Sequence, residues 1–335
     1  MALTLDGTLL HWDDVAEEEK WEVLLVGNGL SINIWPDFGY SSLFEYARDD
    51  GGLAKADLAL FDRTPNFELV LGDLSTAIRV SEAIGQDPAP FERRYRRIQR
   101  ALGHAIRQVH LARTQVSDVA LTAIRDELLE YEWIFTTSYD LIVYWAMGRG
   151  PNDSFPPFID HFKYGGKCLF RPGRTDVHES EIPVYFLHGA LHLVVGETGG
   201  TWKLKRTLMQ TLLDQFGQPI EDDPRARPLL VTEGSARDKL RSIEGNDYLS
   251  HALGRFEELD LPLVVFGSSL SGTDQHLLDA INKNPDRPVA ISMMPAAKRE
   301  LATRQADIYG RLETESLLFY DATTHPLGDP NLGDN

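Results

Sequence analysis

The chain has 335 residues, of which 42% are hydrophobic and 25% charged, an ordinary globular composition at a length that can bury a full core. The net charge of -18, from 51 acidic and 33 basic residues, argues against general binding to a nucleic-acid backbone. The one cysteine, Cys168, excludes a disulfide framework within the chain and a four-cysteine zinc site.

The N-terminal stretch lacks the basic start and apolar core of a signal peptide. No apolar run approaches the roughly 20 residues that a membrane helix needs. We therefore expect a soluble cytoplasmic protein that forms a single domain over residues 1–335.

The first apolar run, Val23–Val26, reads as a buried strand that leads into Gly27-Asn28-Gly29 and then a helix start. This order offers free backbone N–H groups to a pyrophosphate, because the first glycine permits the turn and the second lets a phosphate approach. Ile32 stands where the usual dinucleotide fingerprint has a third glycine, so a tight structural turn is an equal alternative.

A long helical region follows, and we assign residues 80–130 to a helical insertion. Its apolar residues recur at spacings of three and four, as in an amphipathic helix: Phe91, Tyr95, Ile98, Leu102, Ile106 and Val109. The arginines of this stretch mostly fall elsewhere on the helix and indicate a solvated face rather than a nucleic-acid surface. Ser117 is expected to cap a second helix that runs through Leu129.

The second apolar strand, 133–136, is followed by a cluster of polar residues that includes Thr137, Ser138 and Asp140. In an open α/β sheet, ligands bind at this carboxyl edge. Helix capping by Ser138 or Asp140 is the structural alternative, although one cap requires fewer polar groups than are present.

A third apolar stretch, 182–189, ends on His188-Gly189. The position at a strand end makes His188 a candidate catalyst, with a hydrogen-bonded core histidine as the alternative. His192 lies four residues on, as in some metal sites, but the glutamate of the HExxH motif is missing, so we expect no metal. The wider segment 148–230 is assigned to a loop-rich insertion with a hairpin that turns at 196–200.

The strand expected at 263–266 leads into Gly267, Ser268 and Ser269, a second loop suited to phosphate, with Asp274 as a candidate helix cap. Ahead of it, Glu233, Gly234, Arg237 and Lys239 lie in a loop-to-helix stretch, and we interpret them as surface charge.

Two further apolar strands are expected at 289–293 and 316–321, and the tail from Thr324 is expected to fray. Continuous apolar strands separated by helices are typical of α/β proteins. The sequence therefore predicts a Rossmann-like parallel sheet flanked by helices, with a helical insertion and a small hairpin and loop insertion.

In chain order the loops and strand ends read GNGLS, PDF, TTSYD, LHG, GSSL, VAISMM and FYDA. This order resembles the sirtuin superfamily and extends from Gly27 to about Ala322. Without four cysteines the chain cannot build the zinc ribbon of protein deacylases, so it looks like the zinc-less bacterial sirtuin-like families associated with antiphage defence. It is also similar to an uncharacterised bacterial domain family with TTxYDLxxYW and HGALHL motifs.

The resemblance implies NAD as substrate or ligand and assigns roles to individual residues. His188 would be the general base, with Ser138 and Asp140 as its catalytic partners at the nicotinamide ribose. The positions assigned to NAD binding are Gly27, Asn28, Gly29, Ser31, Asp37, Phe38, Thr137, Gly267, Ser268, Ser269, Ser292 and Asp321. Two positions depart from the family pattern, because Ser138 replaces an asparagine and Gly39 replaces an arginine.

From this resemblance we expect an NAD glycohydrolase that releases nicotinamide and ADP-ribose, acting as an antiphage effector in a homo-oligomer or with a defence partner. The N-glycosidic bond breaks through an oxocarbenium-like state, and a histidine with a pKa near neutrality suits the role of base. A non-catalytic sensor of NAD or an ADP-ribose derivative, and a transferase with the same chemistry, remain as alternatives.

Overall fold

A computed structural model describes residues 5–148, 157–162, 168–172, 181–205, 211–215, 226–232, 235–314 and 316–333. Its centre is a seven-stranded sheet in the order β3-β5-β2-β1-β9-β10-β11, and all neighbouring pairs are parallel. The strands are β1 Val23–Val26, β2 Trp133–Thr136, β3 Phe158–Ile159, β5 Ile182–Phe186, β9 Leu263–Phe266, β10 Val289–Met293 and β11 Leu317–Asp321. The α/β fold with a Rossmann-like parallel sheet flanked by helices is therefore confirmed.

The predicted strands are recovered because they are apolar on both faces. Every residue of β1, β9 and β10 is buried, as expected for strands covered by helices on each side. The two-residue strand β3 was not predicted, since it is too short to give an apolar pattern.

The order of the strands reverses next to β1. Leaving aside the edge strand β3, the first, second and third strands lie on one side and the fourth, fifth and sixth on the other. This is the order of doubly wound dinucleotide-binding folds, in which ligands occupy the crevice outside the carboxyl ends at the reversal. In this chain the reversal lies between β1 and β9, so the loops after these strands, at Gly27 and Gly267, face the crevice.

Helices fill the chain between β1 and β2. They are α2 Gly29–Ile34, α3 Tyr40–Asp49, α4 Lys55–Leu58, α5 Phe67–Ala83, α6 Ala89–Val109 and α7 Asp118–Leu128. The helical region thus begins well before residue 80, which lies inside α5. Of the predicted stripe on α6, Ile98, Leu102 and Ile106 are buried, whereas Phe91 at the first turn is exposed.

The remaining helices are α1 Trp12–Ala16, α8 Ile142–Met147, α9 Leu212–Gln215, α10 Ala236–Glu244, α11 Asp247–Glu258, α12 Gln275–Asn282 and α13 Lys298–Tyr309. The predicted cap of α7 is confirmed, because the Ser117 side chain accepts a hydrogen bond from the Ala120 N–H.

A second, antiparallel sheet has the order β4-β7-β6-β8, formed by Cys168–Leu169, Thr201–Lys203, Gly189–Val195 and Arg227–Leu230. The β6–β7 hairpin is confirmed, and the Gly196 N–H closes its turn on the Gly200 carbonyl at 3.0 Å. Gly189 has φ +78°, and a Cβ there would lie 1.9 Å from the Leu229 carbonyl oxygen. The glycine after His188 is therefore required by the approach of β8.

The expectation of a frayed tail is wrong for residues 324–333. Leu327 and His325 are fully buried, and the Asn33 side chain donates to the Leu327 carbonyl at 3.1 Å and to the Asp329 carbonyl at 2.9 Å. The proline and glycine composition that suggested fraying instead forms short 3-10 turns packed on α2. Among the described residues, no helix is long and apolar enough to cross a membrane.

Candidate functional site

The loops after β1 and β9 meet backbone to backbone at the reversal of strand order. A Cβ on Gly27 would lie 2.5 Å from the Gly267 carbonyl oxygen, and a Cβ on Gly29 would lie 2.5 Å from the Gly267 Cα. Gly267 itself has φ +68°, a conformation that favours glycine. The three glycines are therefore needed for the contact between the two loops, whatever ligand lies above them.

The first loop was expected to offer free N–H groups, and for the glycines this is wrong. The Gly27 N–H donates to the Phe266 carbonyl and the Gly29 N–H to the Gly267 carbonyl, both at 2.8 Å. The Gly267 N–H donates to Ser292 Oγ at 2.9 Å. Ser292 thus supports the second loop from β10, and any phosphate would have to be held by other donors.

The two serines of that second loop remain candidates for this role. Ser268 is half-buried and its Oγ accepts a hydrogen bond from the Leu270 N–H at 3.3 Å, which leaves its own hydroxyl hydrogen for a ligand. Ser269 is exposed. Both lie at the carboxyl end of β9, beside the glycine contact.

Ser31, Ser138 and Asp140, which we call the serine–aspartate cluster, join helix α2, which follows β1, to the loop after β2. All three side chains are buried. Both hydroxyls approach the Asp140 Oδ2 atom, and the two serine oxygens lie 2.9 Å apart. The other oxygen, Oδ1, accepts the Ile142 N–H at 2.7 Å at the start of α8. The sequence placed Ser31 in one motif and Ser138 and Asp140 in another, and the fold brings the two motifs together.

Hydrogen counting limits what this cluster can do. Each serine has a single hydroxyl hydrogen, so only two of the three contacts among Ser31, Ser138 and Asp140 are hydrogen bonds at one time. Asn28 Oδ1 lies 3.5 Å from Ser138 Oγ and is a further acceptor. The cluster can therefore reorient one hydroxyl toward a ligand without leaving the carboxylate unpaired.

The Pro-Asp-Phe segment forms a 3-10 turn that touches the first loop. The Asn28 side chain donates to the Phe38 carbonyl at 3.3 Å. The Phe38 ring is buried against His110, with 5.0 Å between ring centres, while Asp37 is exposed. Of this pair, only Asp37 therefore presents its side chain to solvent.

His110 is a buried residue of this region that the sequence reasoning missed. Its Nε2 accepts the Leu141 N–H at 3.0 Å, so its Nδ1 carries the hydrogen and donates to the Leu111 carbonyl at 2.8 Å. Burial lowers the pKa of His110, and the nearby Asp140 carboxylate only opposes this. His110 is thus a neutral, fully paired histidine that supports Phe38 and the start of α8.

His188 lies beyond the end of β5 and pairs with a residue that the sequence did not suggest. Its Nε2 is 2.8 Å from the Nε2 of His276 on α12, and both rings are buried. Burial, with smaller effects from Lys239 and His276, lowers the pKa of His188 well below 6.5. The near-neutral pKa expected of this histidine is therefore wrong, and it is a neutral and weaker base.

The interpretation of Lys239 as surface charge is wrong. Its side chain is only 1% exposed, and its ammonium lies 2.9 Å from both Glu68 and Asp274. Asp274 stands at the N-cap position of α12, but its side chain makes no cap hydrogen bond and pairs with Lys239 instead. The nearby carboxylates raise the pKa of Lys239 against the opposing effect of burial, so it remains charged.

Asp274, His188 and His276 form what we call the histidine cluster, since their ligand atoms all lie within 4.8 Å of one another. His192 is not part of it. That ring is buried in β6, where it stacks on Tyr144 at 4.3 Å and meets the edge of Phe186.

The remaining predicted positions have local roles. The Thr137 N–H donates to the Val26 carbonyl at 3.0 Å and so links β2 to β1. Asp321 caps the turn after β11 by accepting from the Thr323 N–H at 2.8 Å. Glu233 and Gly234 lie outside the described residues.

The model of a protein family described as DUF4917, a domain of unknown function, matches residues 24–325. No protein of curated function matches the sequence.

Several solved Sir2 structures are similar to this chain. One, on the mechanism and regulation of Sir2 enzymes, has a TM-score of 0.41 at 12% identity and covers 95% of this chain and 94% of its own. A Sir2 mutant with a peptide and NAD has a TM-score of 0.34 at 15% identity, and the match covers 89% of this chain and 97% of that one. A mutant Sir2 homologue with 2′-O-acetyl ADP ribose has a TM-score of 0.36 at 14% identity, and the match covers 90% of this chain and 97% of that one. At such values the function has to be argued from the residues of this chain.

Proposed function

The chain belongs to the DUF4917 family, and we propose that it is a zinc-less sirtuin-like NAD glycohydrolase, which cleaves NAD to nicotinamide and ADP-ribose. One observation carries the proposal: two glycine loops meet where the strand order reverses, and the serine–aspartate cluster lies at the same edge of the sheet. Doubly wound sheets bind ligands at this position.

The two loops divide the dinucleotide between them. The Ser268 and Ser269 hydroxyls hold the pyrophosphate. Gly27, Gly29 and Gly267 have no side chains, so the pyrophosphate can lie across the two loops. Asn28, at the N-cap position of α2, and Ser31, within α2, are assigned to the same part of the ligand. The adenosine half extends over β10 and β11, toward Ser292 and Asp321.

The nicotinamide half lies toward the serine–aspartate cluster. Asp37 and Phe38 border the nicotinamide ring, and Thr137 borders the ribose. Asp140 holds the Ser31 and Ser138 hydroxyls, and the hydroxyl that is free to turn donates to the carboxamide or binds the attacking water.

The reaction needs little covalent help from the protein. The bond between C1′ of the ribose and N1 of the pyridinium breaks, and nicotinamide leaves as a neutral molecule with the electron pair. Water adds to the oxocarbenium-like C1′ and loses a proton, which gives ADP-ribose. Positioning and negative charge near the sugar therefore supply most of the acceleration.

His188 takes that proton in the proposed reaction. Its lowered pKa keeps it neutral and able to accept, although as a weaker base than a free histidine. The nitrogen that accepts the proton is Nδ1, and this requires that His188 Nε2 carries the ring hydrogen and donates it to His276.

A non-catalytic sensor of NAD or an ADP-ribose derivative is the second candidate. It is favoured because polar groups within each cluster are hydrogen-bonded to one another. Ser31, Ser138 and Asp140 satisfy one another, and His188 is engaged by His276. Such a site binds without turnover if its groups stay paired. In either case, we propose an antiphage role with activity controlled by a homo-oligomer or a defence partner.

Nicotinamide release by the purified chain, followed by liquid chromatography, tests the proposal. We expect release from the unaltered chain and a loss of at least about 100-fold in His188→Ala, the usual contribution of a general base. The matched control is His192→Phe, a buried histidine four residues away that joins neither cluster.

Calorimetry with NAD separates the two candidates. Binding without nicotinamide release, in both the unaltered chain and Ser138→Asn, favours the sensor and overturns the hydrolase. If the chain neither binds NAD nor releases nicotinamide, also when a defence partner is added, both candidates fail.

A further inference from the structure

We propose that the histidine cluster, His188, His276 and Asp274, binds one divalent transition-metal ion, with Zn²⁺ as the best match. The three ligand atoms lie within 4.8 Å of one another. His188 follows the end of β5, and Asp274 and His276 lie at the start of α12. Two imidazoles and one carboxylate, with a water as fourth ligand, are a common donor set of open zinc sites. This proposal reverses the expectation of no metal.

The spacing of the two imidazoles is close to that of a zinc site. Nitrogens bound to one tetrahedral zinc at about 2.0–2.1 Å lie about 3.3 Å apart. The Nε2 atoms of His188 and His276 are 2.8 Å apart, with their ring centres at 5.0 Å. An increase of about 0.5 Å in the distance between the two Nε2 atoms, which small ring rotations can provide, would admit the ion.

The two ring nitrogens of His276 have different surroundings. Its Nδ1 is buried and has no hydrogen-bond partner among the described residues. Its Nε2 shares a single hydrogen with His188 if both rings are neutral, because each neutral imidazole carries one N–H. An ion bound by the two Nε2 atoms would replace this shared hydrogen, whereas the unpaired Nδ1 lies on the other side of the ring and is left for a water.

The charges in and beside the cluster favour a cation. Two carboxylates, Glu68 and Asp274, surround the single ammonium of Lys239, which leaves one net negative charge with the histidines neutral. A divalent ion with a bound hydroxide would bring this group to zero. An unbalanced charge in the protein interior costs several kcal/mol per ion, so an ion that neutralises this group would stabilise the folded chain.

The surroundings also orient the carboxylate. Lys239 binds Asp274 Oδ1 at 2.9 Å, and Ser271 Oγ lies 3.4 Å from Oδ2. Metal-ligating carboxylates are commonly held by such outer hydrogen bonds. Lys239 therefore positions the Asp274 carboxylate, and its positive charge lowers the affinity of the cluster for a metal ion.

The site does not depend on NAD hydrolysis, since the ion is measured without NAD. If the chain does hydrolyse NAD, a water on this ion would supply the hydroxide in place of His188 as base, because zinc lowers the pKa of its bound water to about 7.

The experiment titrates the chelator-treated full chain with Co²⁺ and Zn²⁺. We expect one equivalent of Zn²⁺ per chain after gel filtration, measured by elemental analysis, and the intense visible absorption of tetrahedral Co²⁺. His276→Gln and Asp274→Asn should each weaken binding by 10-fold or more. His104→Gln is the matched control, since it removes the exposed histidine that pairs with Asp50 at 3.1 Å.

Circular dichroism shows whether each variant is folded. If the unaltered chain retains no ion and gives no tetrahedral Co²⁺ spectrum, the proposal is overturned, whatever the variants do. It is equally overturned if folded His276→Gln binds Zn²⁺ as tightly as the unaltered chain. A loss of Zn²⁺ binding in His104→Gln alone would assign the ion to the surface pair.

Discussion

The serine–aspartate cluster and the histidine cluster lie at the same edge of the sheet but are built differently. The first contains one carboxylate, and its polar atoms are satisfied by two hydroxyls and a backbone N–H. The second contains the carboxylate of Asp274, adjoins the charged groups of Glu68 and Lys239, and keeps an unpaired ring nitrogen on His276.

The difference lies in how much each cluster depends on something outside itself. Asp140 receives its hydrogen bonds from the protein and needs no ligand to be stable. The histidine cluster balances charge only in part, so a ligand or ion would complete it. The first cluster is therefore expected to be a rigid platform, and the second to respond to what it binds.

The largest effect is expected from the charged group that only the histidine cluster has. Lys239→Met leaves the buried Glu68 and the half-buried Asp274 without their cation, which should lower the free energy of unfolding by about 3 to 5 kcal/mol. Urea denaturation of the metal-free chain measures this. The control Lys283→Met breaks a half-exposed pair with Glu257 and should cost less than about 1 kcal/mol. Equal costs for the two variants would contradict the buried network.

A smaller effect is expected in the serine–aspartate cluster. Asp140→Ala leaves the buried Ser31 and Ser138 hydroxyls without their shared acceptor, and should lower the free energy of unfolding by about 2 to 3 kcal/mol. Asp140→Asn should cost less, since its amide oxygen still accepts. Asp321→Ala is the control, because that carboxylate only caps an exposed turn. A neutral Asp140→Ala would refute the idea of a platform held by this residue.

The smallest effect is expected at His110, which accepts the Leu141 N–H next to the serine–aspartate cluster. Burial lowers the pKa of His110, so the folded chain holds fewer protons than the unfolded chain, and stability is full above about pH 6.5 and is lost as the pH falls below it. His110→Gln should remove this share of the slope, at most about 1.4 kcal/mol per pH unit. Denaturation between pH 7 and pH 5 measures the slope. An unchanged slope would show that His110 is not held neutral in the folded chain.

Much of the fold could be predicted because its signals are local. The strands β1, β2, β9 and β10 were predicted at their observed bounds, since each is a short apolar run between polar loops. The hairpin turn and the Ser117 cap depend on a few neighbouring residues. The tail from Thr324 was predicted wrongly because its burial depends on α2, far away in the chain.

The sequence by itself determined which residues lie at the carboxyl ends of the strands, including Gly27, Ser138, His188 and Gly267, because strand ends follow from apolar patterning. Only the tertiary structure decided their partners. Crossovers bring α12 and α10 to the end of β5, where His276 meets His188 and Lys239 meets Asp274, over separations of 88 and 35 residues. A helical pattern alone gives no sign of such pairs, because a buried lysine and a surface lysine read alike until the neighbouring carboxylates are in place.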